Sequence, residues 1–222
     1  KVIGVEEADV NARAAAVGRG ILRTMAQDSQ EESIWVEALA PEGRKQVWRE
    51  LGIFPGGPLF ELMDASARGM TNIDGDYVSL TKTALRMGIA TFYAVQVPLE
   101  FGQDALFGTP SPHTANVDLG VIDPGYVNIL PNGHEPFIGF ALVQAAEAEE
   151  VQARAREAGA RGLRIVGSIE TGQEMMQRLE SSEVFVGLTG NWICQEYAMA
   201  TGAVDVFAMD MNCSVPSLAE LA

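Results

Sequence analysis

The second half of the chain alternates short apolar runs with longer segments of mixed polarity. Four apolar runs have the length of β-strands, and they cover 126–130, 163–169, 183–188 and 204–210. Helical segments are predicted between and after these runs, at 136–158, 172–180, 192–201 and from 216 onward. Because strands that alternate with helices at this spacing form parallel sheets with right-handed crossovers, we predict a Rossmann-like parallel sheet with flanking helices.

The first half of the chain has helical patterns instead. The predicted helices cover Glu6–Ala26, Ala38–Leu51, Leu59–Met70 and Ser79–Gly88. Pro55-Gly56-Gly57-Pro58 is a strong break, and Asp76 and Ser79 are candidate caps for the fourth helix. A loop rich in Gly, Pro, Ser and Thr follows at 107–116. The fold class is therefore α/β, with a helical segment at 1–115 and a Rossmann-like α/β domain at 116–222.

Composition and charge limit the partners. The chain has 222 residues, 15 Lys and Arg, and 30 Asp and Glu, so its formal net charge is -15. Such a surface repels phosphate backbones and anionic lipid headgroups, which argues against nucleic acid and membrane surfaces as partners. No apolar run has the ~18 residues of a membrane span, and the N-terminus has no secretory signal, so we expect a cytoplasmic location. The chain starts at Lys1 and stops just after a helix start, which suggests a piece of a longer protein.

Three potential metal ligands stand where predicted strands end: His134, Glu170 and Cys213. The carboxyl ends of parallel strands meet at one edge of the sheet, so these side chains are expected to share one site. Each has a plainer explanation. A histidine after a glycine is often only a polar residue near a helix start, a glutamate there is stabilised by the helix dipole, and Cys213 would serve as a small buried residue. The coincidence of all three carries the inference.

Several local sequences follow one another in a fixed order, and together they are specific. They are Gly52-Ile53-Phe54-Pro55-Gly56-Gly57, Asp76-Tyr77-Val78-Ser79-Leu80, Leu106-Phe107-Gly108-Thr109-Pro110, Tyr126-Val127-Asn128-Ile129, Gly133-His134-Glu135-Pro136, Ala200-Thr201-Gly202-Ala203-Val204-Asp205 and Asn212-Cys213. From about Glu50 to the end, this order resembles the middle of a catalytic subunit of the nickel-dependent carbon monoxide dehydrogenases, which share a superfamily with the hybrid cluster proteins. The first fifty residues resemble the tail of that family's helical domain more weakly.

The resemblance implies an iron-sulfur cluster with nickel, a ferredoxin-like electron carrier and a homodimer. It implies that His134 binds the iron outside the cubane part of the cluster and that Cys213 binds an iron within it. Imidazole and thiolate both suit iron-sulfur chemistry. Asp205 and Asp210 are expected to be structural or to orient a ligand, and Cys194 is expected to be a packing residue. The family's other cluster ligands lie outside this segment, so the α/β domain is expected to continue beyond the chain end and any activity belongs to the full-length polypeptide.

Glu170 departs from the dehydrogenase pattern. Those enzymes place a cysteine between Gly167 and Gly172, where this chain has Ser168-Ile169-Glu170-Thr171. Oxygen ligands favour an iron with oxo or hydroxo bridges over a sulfide-rich iron beside nickel. Hybrid cluster proteins, as a family, pair histidine with glutamate around an iron-sulfur-oxygen cluster.

Three hypotheses therefore stand side by side. The first is an oxidoreductase segment that acts on CO and water to give CO2 and two electrons, with the water at the iron that His134 binds. The second is a nickel-free cluster, with His134 and Glu170 both on its labile iron, that reduces a small nitrogen or oxygen species such as hydroxylamine or has an oxidative-stress role. Across these two hypotheses the candidate catalytic residues are His134 and Glu170. The third is a non-catalytic structural paralogue without metal.

Overall fold

The computed structural model describes residues 5–27, 31–179, 182–210 and 213–221. Two compact units are present, Lys1–Gly108 and Thr109–Ala222. The sequence-based domain boundary, between 115 and 116, stays a prediction. Among the described residues, no helix has both the length and the apolarity that a bilayer crossing requires.

All the regular elements in the described part of the first unit are helices. Its helices are α1 (Val10–Met25), α2 (Ile34–Leu39), α3 (Glu42–Glu50), α4 (Pro58–Thr71), α5 (Tyr77–Thr91), a π-helical turn (Phe92–Gln96) and α6 (Val97–Phe107). Helix α1 packs against α6, and α4 packs against α5. Local signals set several boundaries: Asp76 caps α5 by accepting a hydrogen bond from the Ser79 N–H at 2.9 Å, and α4 begins with Pro58.

Two helix predictions in this unit are wrong in extent. The segment Ala38–Leu51 is not one helix, because Pro41 stands between α2 and α3 and a proline inside a helix removes a backbone donor. The helix predicted to end at Gly88 continues instead through the π-helical turn into α6. Pro98 does not break this continuation, because it lies in the first turn of α6, and α6 directly follows the wider π turn.

The second unit contains the predicted sheet. Its elements are a 3-10 turn (Leu119–Val121), β1 (Val127–Gly133), α7 (Pro136–Ala146), α8 (Glu149–Glu157), β2 (Leu163–Ser168), α9 (Ile169–Met176), β3 (Phe185–Leu188), α10 (Cys194–Ala200), β4 (Val206–Met209) and α11 (Leu218–Leu221). The strand order is β3-β2-β1-β4, and every pairing is parallel. This order matches the first four strands of the Rossmann order 3-2-1-4-5-6, so the predicted fold class is confirmed.

Two helices of this unit differ from the sequence pattern. The segment 136–158 forms two helices rather than one, because the chain is extended at Ala148, the residue before α8. Helix α9 begins at Ile169, directly after β2, and therefore three residues earlier than predicted. The early start brings Glu170 into the first turn of the helix.

The order of the strands fixes where a ligand site can form. After β1 the chain adds β2 and then β3 on one side, and it returns to place β4 on the other side of β1. The carboxyl edge between β1 and β4 is therefore the point where the strand order reverses. Open α/β sheets bind their ligands in the crevice at such a point.

The core of the second unit has two parts, one on each side of the sheet. One cluster of buried side chains includes Val143, Ile165 and Met175, and the other includes Leu130, Val166 and Ala198. Ile165 and Val166 are neighbours in β2 and belong to different clusters, as expected for a strand whose successive side chains point to opposite faces. The sheet is thus covered on both faces, and its edge remains available for chemistry.

Candidate metal centre

His134 directly follows β1, and its backbone is held by a carboxylate from the neighbouring strand end. The Asp210 carboxylate accepts hydrogen bonds from the His134 N–H at 2.5 Å and from the Glu135 N–H at 3.2 Å. Asp210 follows β4, and its own N–H donates to the Asn132 carbonyl at 3.0 Å. The expectation that Asp210 orients a candidate ligand agrees with this geometry. Asp205 instead binds the backbone of Asn128 at 2.8 Å, near the start of β1.

Glu170 is the second residue of α9, and the residue before it has an unusual backbone. Ile169 has a φ of 44°, in the left-handed region that a β-branched residue rarely adopts. This conformation lets β2 pass into α9 with no intervening loop, and it leaves the Glu170 side chain exposed at the sheet edge while Ile169 is buried. Backbone strain of this kind persists only where the surrounding structure holds it, and it is concentrated at functional sites.

Cys213 lies beyond β4 and also has a left-handed backbone, with a φ of 53°. Residues 211 and 212, between Asp210 and Cys213, lie outside the described part of the chain. The thiol is exposed. Of the three described non-glycine residues with positive φ, two are therefore at this edge, Ile169 and Cys213, and the third, Asn72, ends α4.

The three predicted ligands come together. His134 Nε2 lies 2.8 Å from Glu170 Oε2 and 3.0 Å from Cys213 Sγ. Each residue offers one ligand atom, and these atoms all lie within 4.8 Å of one another. They come from the ends of β1, β2 and β4, as expected for one site at the carboxyl edge of the sheet.

The electrostatics of the cluster favour a cation. Partial burial, the Glu170 carboxylate and the Asp210 carboxylate, in that order, raise the pKa of the Cys213 thiol. The Glu170 carboxylate and the Cys213 thiolate are both acceptors, and both approach His134 Nε2, which carries at most one hydrogen. A positive ion among them would relieve this repulsion and favour the thiolate, since metal binding displaces the thiol proton.

The donor set fits an iron site. It combines one imidazole, one carboxylate and one thiol, and iron accepts all three types of ligand. The other imidazole nitrogen, His134 Nδ1, is buried without a hydrogen-bond partner among the described residues. Three ligands hold one metal ion incompletely, so a whole cluster needs further thiolates from elsewhere.

A cavity beside the cluster contains residues that the sequence analysis did not select. It has a volume of about 380 Å³, and Glu170 and Cys213 line it together with Ile169, Gln173, Asn191 and Trp192. Asn191 and Trp192 follow β3, so the strand-end rule that located His134 would also have located them. Cys194 is half-buried and lies 3.7 Å from Asn191 Oδ1, apart from the three-ligand group.

Comparisons with known proteins agree on one family. A family model described as the Prismane/CO dehydrogenase family matches residues 1–222. The chain is 56% identical to a carbon monoxide dehydrogenase of Archaeoglobus fulgidus over 220 residues, covering 99% of the chain and 35% of that protein. It is 59% identical to carbon monoxide dehydrogenase 2 of Methanosarcina mazei over 186 residues, covering 84% of the chain and 29% of that protein.

Solved structures give the same result. The fold is similar to that of carbon monoxide dehydrogenase IV from Carboxydothermus hydrogenoformans, with a TM-score of 0.86 and 30% identity over 100% of this chain and 34% of that one. The as-isolated, Ni-free crystal structure of carbon monoxide dehydrogenase from Thermococcus sp. AM4, produced without the CooC maturase, gives a TM-score of 0.87 at 30% identity over 100% of this chain and 34% of that one. The chain spans about a third of the length of these relatives.

Proposed function

The chain belongs to the Prismane/CO dehydrogenase family, and from this membership we propose that the full-length protein is a carbon monoxide dehydrogenase-like oxidoreductase. In this proposal it converts CO and water to CO2 and two protons and passes two electrons to a ferredoxin-like carrier. The observation that carries the proposal is the convergence of His134, Glu170 and Cys213 within 4.8 Å at the edge where family resemblance expects cluster ligands. A homodimer and a cytoplasmic location belong to the same proposal.

The residues have separate roles in the proposed site. His134 and Cys213 would hold irons of an iron-sulfur cluster, and Glu170 would occupy the position where the family's dehydrogenases have a cysteine. When bound, the cluster with nickel supplies a place for CO to bind and an acceptor for its two electrons. Asp210 fixes the backbone at His134 through two hydrogen bonds, so the imidazole is held in position before any metal arrives. The side chains of the adjacent cavity, Asn191 and Trp192 among them, would face the substrate.

A second candidate function is favoured by the position of Glu170. Its Oε2 atom lies 2.8 Å from His134 Nε2, so carboxylate and imidazole can bind the same iron. A hard oxygen ligand favours a nickel-free iron-sulfur-oxygen cluster, of the kind that hybrid cluster proteins carry. The corresponding activity is reduction of a small nitrogen or oxygen species, such as hydroxylamine.

The first experiment measures nickel, iron and acid-labile sulfide in the full-length protein after anaerobic purification, alongside CO oxidation with a low-potential dye. Near-stoichiometric nickel with iron and CO-dependent dye reduction would support the dehydrogenase. Iron without nickel, with hydroxylamine reduction and no CO oxidation, would support the hybrid-type cluster. Absence of both metals would leave the non-catalytic paralogue and would overturn both catalytic proposals.

Substitution Glu170→Cys tests the ligand role directly. If Glu170 is an iron ligand of a hybrid-type site, a thiolate there is expected to raise the nickel or sulfide content per chain. Glu157→Cys is the matched control, since it replaces an exposed carboxylate by the same thiol on another helix, α8, outside the three-ligand group. Metal and sulfide contents unchanged by Glu170→Cys would argue against Glu170 as a ligand.

A further inference from the structure

The backbone around Cys213 is held by a buried amide from a different element. Gln195, in α10, has no exposed surface. Its Nε2 donates a hydrogen bond to the Cys213 carbonyl at 2.7 Å, and its Oε1 accepts one from the Val215 N–H at 3.2 Å. One side chain thus binds the main chain on both sides of Ser214.

A second buried amide binds the residue in between. Asn132 lies near the end of β1, has no exposed surface and donates from Nδ2 to the Ser214 hydroxyl at 2.9 Å. The segment 213–215 is therefore attached to α10 through Gln195 and to β1 through Asn132. Since His134 is two residues beyond Asn132, the second attachment joins the chain segments that carry the two candidate ligands.

These contacts oppose a local cost. A non-glycine residue in the left-handed region is strained, and Cys213 adopts that conformation with a φ of 53°. A hydrogen bond at the Cys213 carbonyl and another at the Val215 N–H fix the peptide groups that define this turn. Glutamine suits the task because its amide offers a donor and an acceptor at the end of one side chain.

We propose that Gln195 is a positioning residue that directs the Cys213 sulfur toward His134 Nε2 and so sets how tightly the site holds its iron. The inference rests on the proposed function, in which Cys213 is a ligand. Gln195 itself does not contact the ligand atoms of the site. It acts through the Cys213 backbone, as outer partners of metal ligands commonly do.

The test compares variants of the full-length, anaerobically purified protein. Gln195→Met keeps the length of the side chain and removes both hydrogen bonds, and Gln195→Leu removes both with a side chain of similar volume. Gln103→Met is the control for loss of a buried glutamine, since Gln103 is also buried but is in the helical unit. The readouts are the iron retained against an increasing concentration of chelator and the electron paramagnetic resonance spectrum of the reduced cluster.

We expect Gln195→Met to weaken iron retention by about 10–100-fold, the range found for substitutions of outer partners of metal ligands. We also expect it to change the spectrum. Gln195→Leu is expected to behave similarly, and Gln103→Met is expected to leave both readouts unchanged. A merely structural role would lower the melting temperature of Gln195→Met with no change in spectrum or iron retention, and that result would overturn the proposal.

Cys213→Ser distinguishes failure of the positioning role from failure of the proposed function, in which Cys213 is a ligand. If Cys213→Ser leaves iron retention and spectrum unchanged, Cys213 is not a ligand and the proposed function fails at this position. If Cys213→Ser alters both readouts while Gln195→Met alters neither, only the positioning role fails. Should neither Gln195 variant fold, a crystal structure of the unmodified enzyme decides, and an amide that does not bridge Cys213 and Val215 would overturn the proposal.

Discussion

At the residue scale, the position of His134 depends on the absence of a side chain at the residue before it. Gly133 has a φ of 135°, and a Cβ atom there would lie 1.9 Å from the Asp210 carboxyl carbon. Only glycine therefore allows the Asp210 carboxylate to approach closely enough to accept the His134 and Glu135 N–H groups. The position of the His134 imidazole therefore depends on both Gly133 and the Asp210 carboxylate.

Gly133→Ala is expected to destabilise the full-length protein by about 2–4 kcal/mol and to lower its iron content, because both backbone strain and displacement of Asp210 contribute. Gly159→Ala is the matched control: its φ of 97° gives strain alone, since no atom lies within 4 Å of the added Cβ. Chemical denaturation and iron analysis of both variants provide the measurements. Equal losses of stability with full iron content in both would contradict the role given to Asp210.

The sequence located the candidate ligands and named Asp210 as a residue that could orient one of them, but it did not identify Gln195. His134, Glu170 and Cys213 follow apolar runs, and the rule that parallel strands end at one edge was enough to place them together. Their assignment as ligands remains a prediction. The hydrogen bonds from Gln195 to the Cys213 segment could not be foreseen, because they depend on side-chain directions between segments that pair only in the folded state.

At the scale of elements, α9 is held against β2 by a contact between two glycines. A Cβ on Gly172 would lie 2.7 Å from the Gly167 carbonyl carbon, and a Cβ on Gly167 would lie 2.7 Å from the Gly172 Cα. The backbone of the helix therefore rests directly on the backbone of the strand. This approach lets α9 follow β2 immediately, which fixes Glu170 at the sheet edge.

Gly172→Ala is expected to destabilise the protein by about 1–3 kcal/mol and to weaken iron retention, because the clash is with backbone that cannot move aside. Gly88→Ala, in α5, has open space around the added Cβ and is expected to stabilise the protein by about 0.5–1 kcal/mol. Urea denaturation of the two variants gives changes of opposite sign if this account is right. Destabilisation of equal size in both would refute it.

A carboxylate network joins the end of α4 to the start of α5. Asp74 accepts hydrogen bonds from the Ser79 hydroxyl at 2.5 Å and the Asp76 N–H at 3.0 Å, and it also pairs with Arg68. These partners, the Ser79 hydroxyl first, lower the pKa of Asp74 from its ordinary value of 3.8. The ionised form of the Asp74 carboxylate accepts both hydrogen bonds and pairs with the Arg68 guanidinium, so the network favours that form.

The lowered pKa of Asp74 predicts a dependence of stability on pH. A folded-state pKa below the unfolded value stabilises the fold above the unfolded pKa, and that stabilisation is lost as the pH falls through the folded pKa. Asp74→Asn is therefore expected to melt at a lower temperature than the parent at pH 7, with a difference that shrinks below about pH 4. A difference that stays constant between pH 7 and pH 3 would show that Asp74 does not contribute through its charge.

The sequence predicted the types of the main elements better than their boundaries. Apolar runs at regular spacing were enough for the sheet, because strands that are buried on both faces, such as β2, leave a strong pattern. The continuation of α5 through a π-helical turn into α6 was missed, because Gly88 and Pro98 are usually signs of a helix end. Here the intervening π turn lets the helix run past both residues.

At the scale of the whole molecule, the charge of the chain sets a general repulsion. The net charge is -15, and repulsion between like charges destabilises the folded state. Salt screens this repulsion, so the destabilisation is largest at low ionic strength. Raising NaCl from about 0.02 to 0.5 M at pH 7 is expected to raise the melting temperature of the chain. At pH 5, closer to the pI of about 4.4, the increase is expected to be smaller. A melting temperature that falls with salt would mean that the ion pairs outweigh the repulsion.

The strand order also determines when during synthesis the three candidate ligands can meet. Cys213 follows His134 by 79 residues, and it reaches the imidazole only because β4 returns to pair with β1. A nascent chain that has emerged as far as Glu170 holds two of the three candidate ligands. Pairings between distant segments form late, because the loop between them must first be closed. The three side chains can therefore come together only after β4 has left the ribosome and has paired with β1.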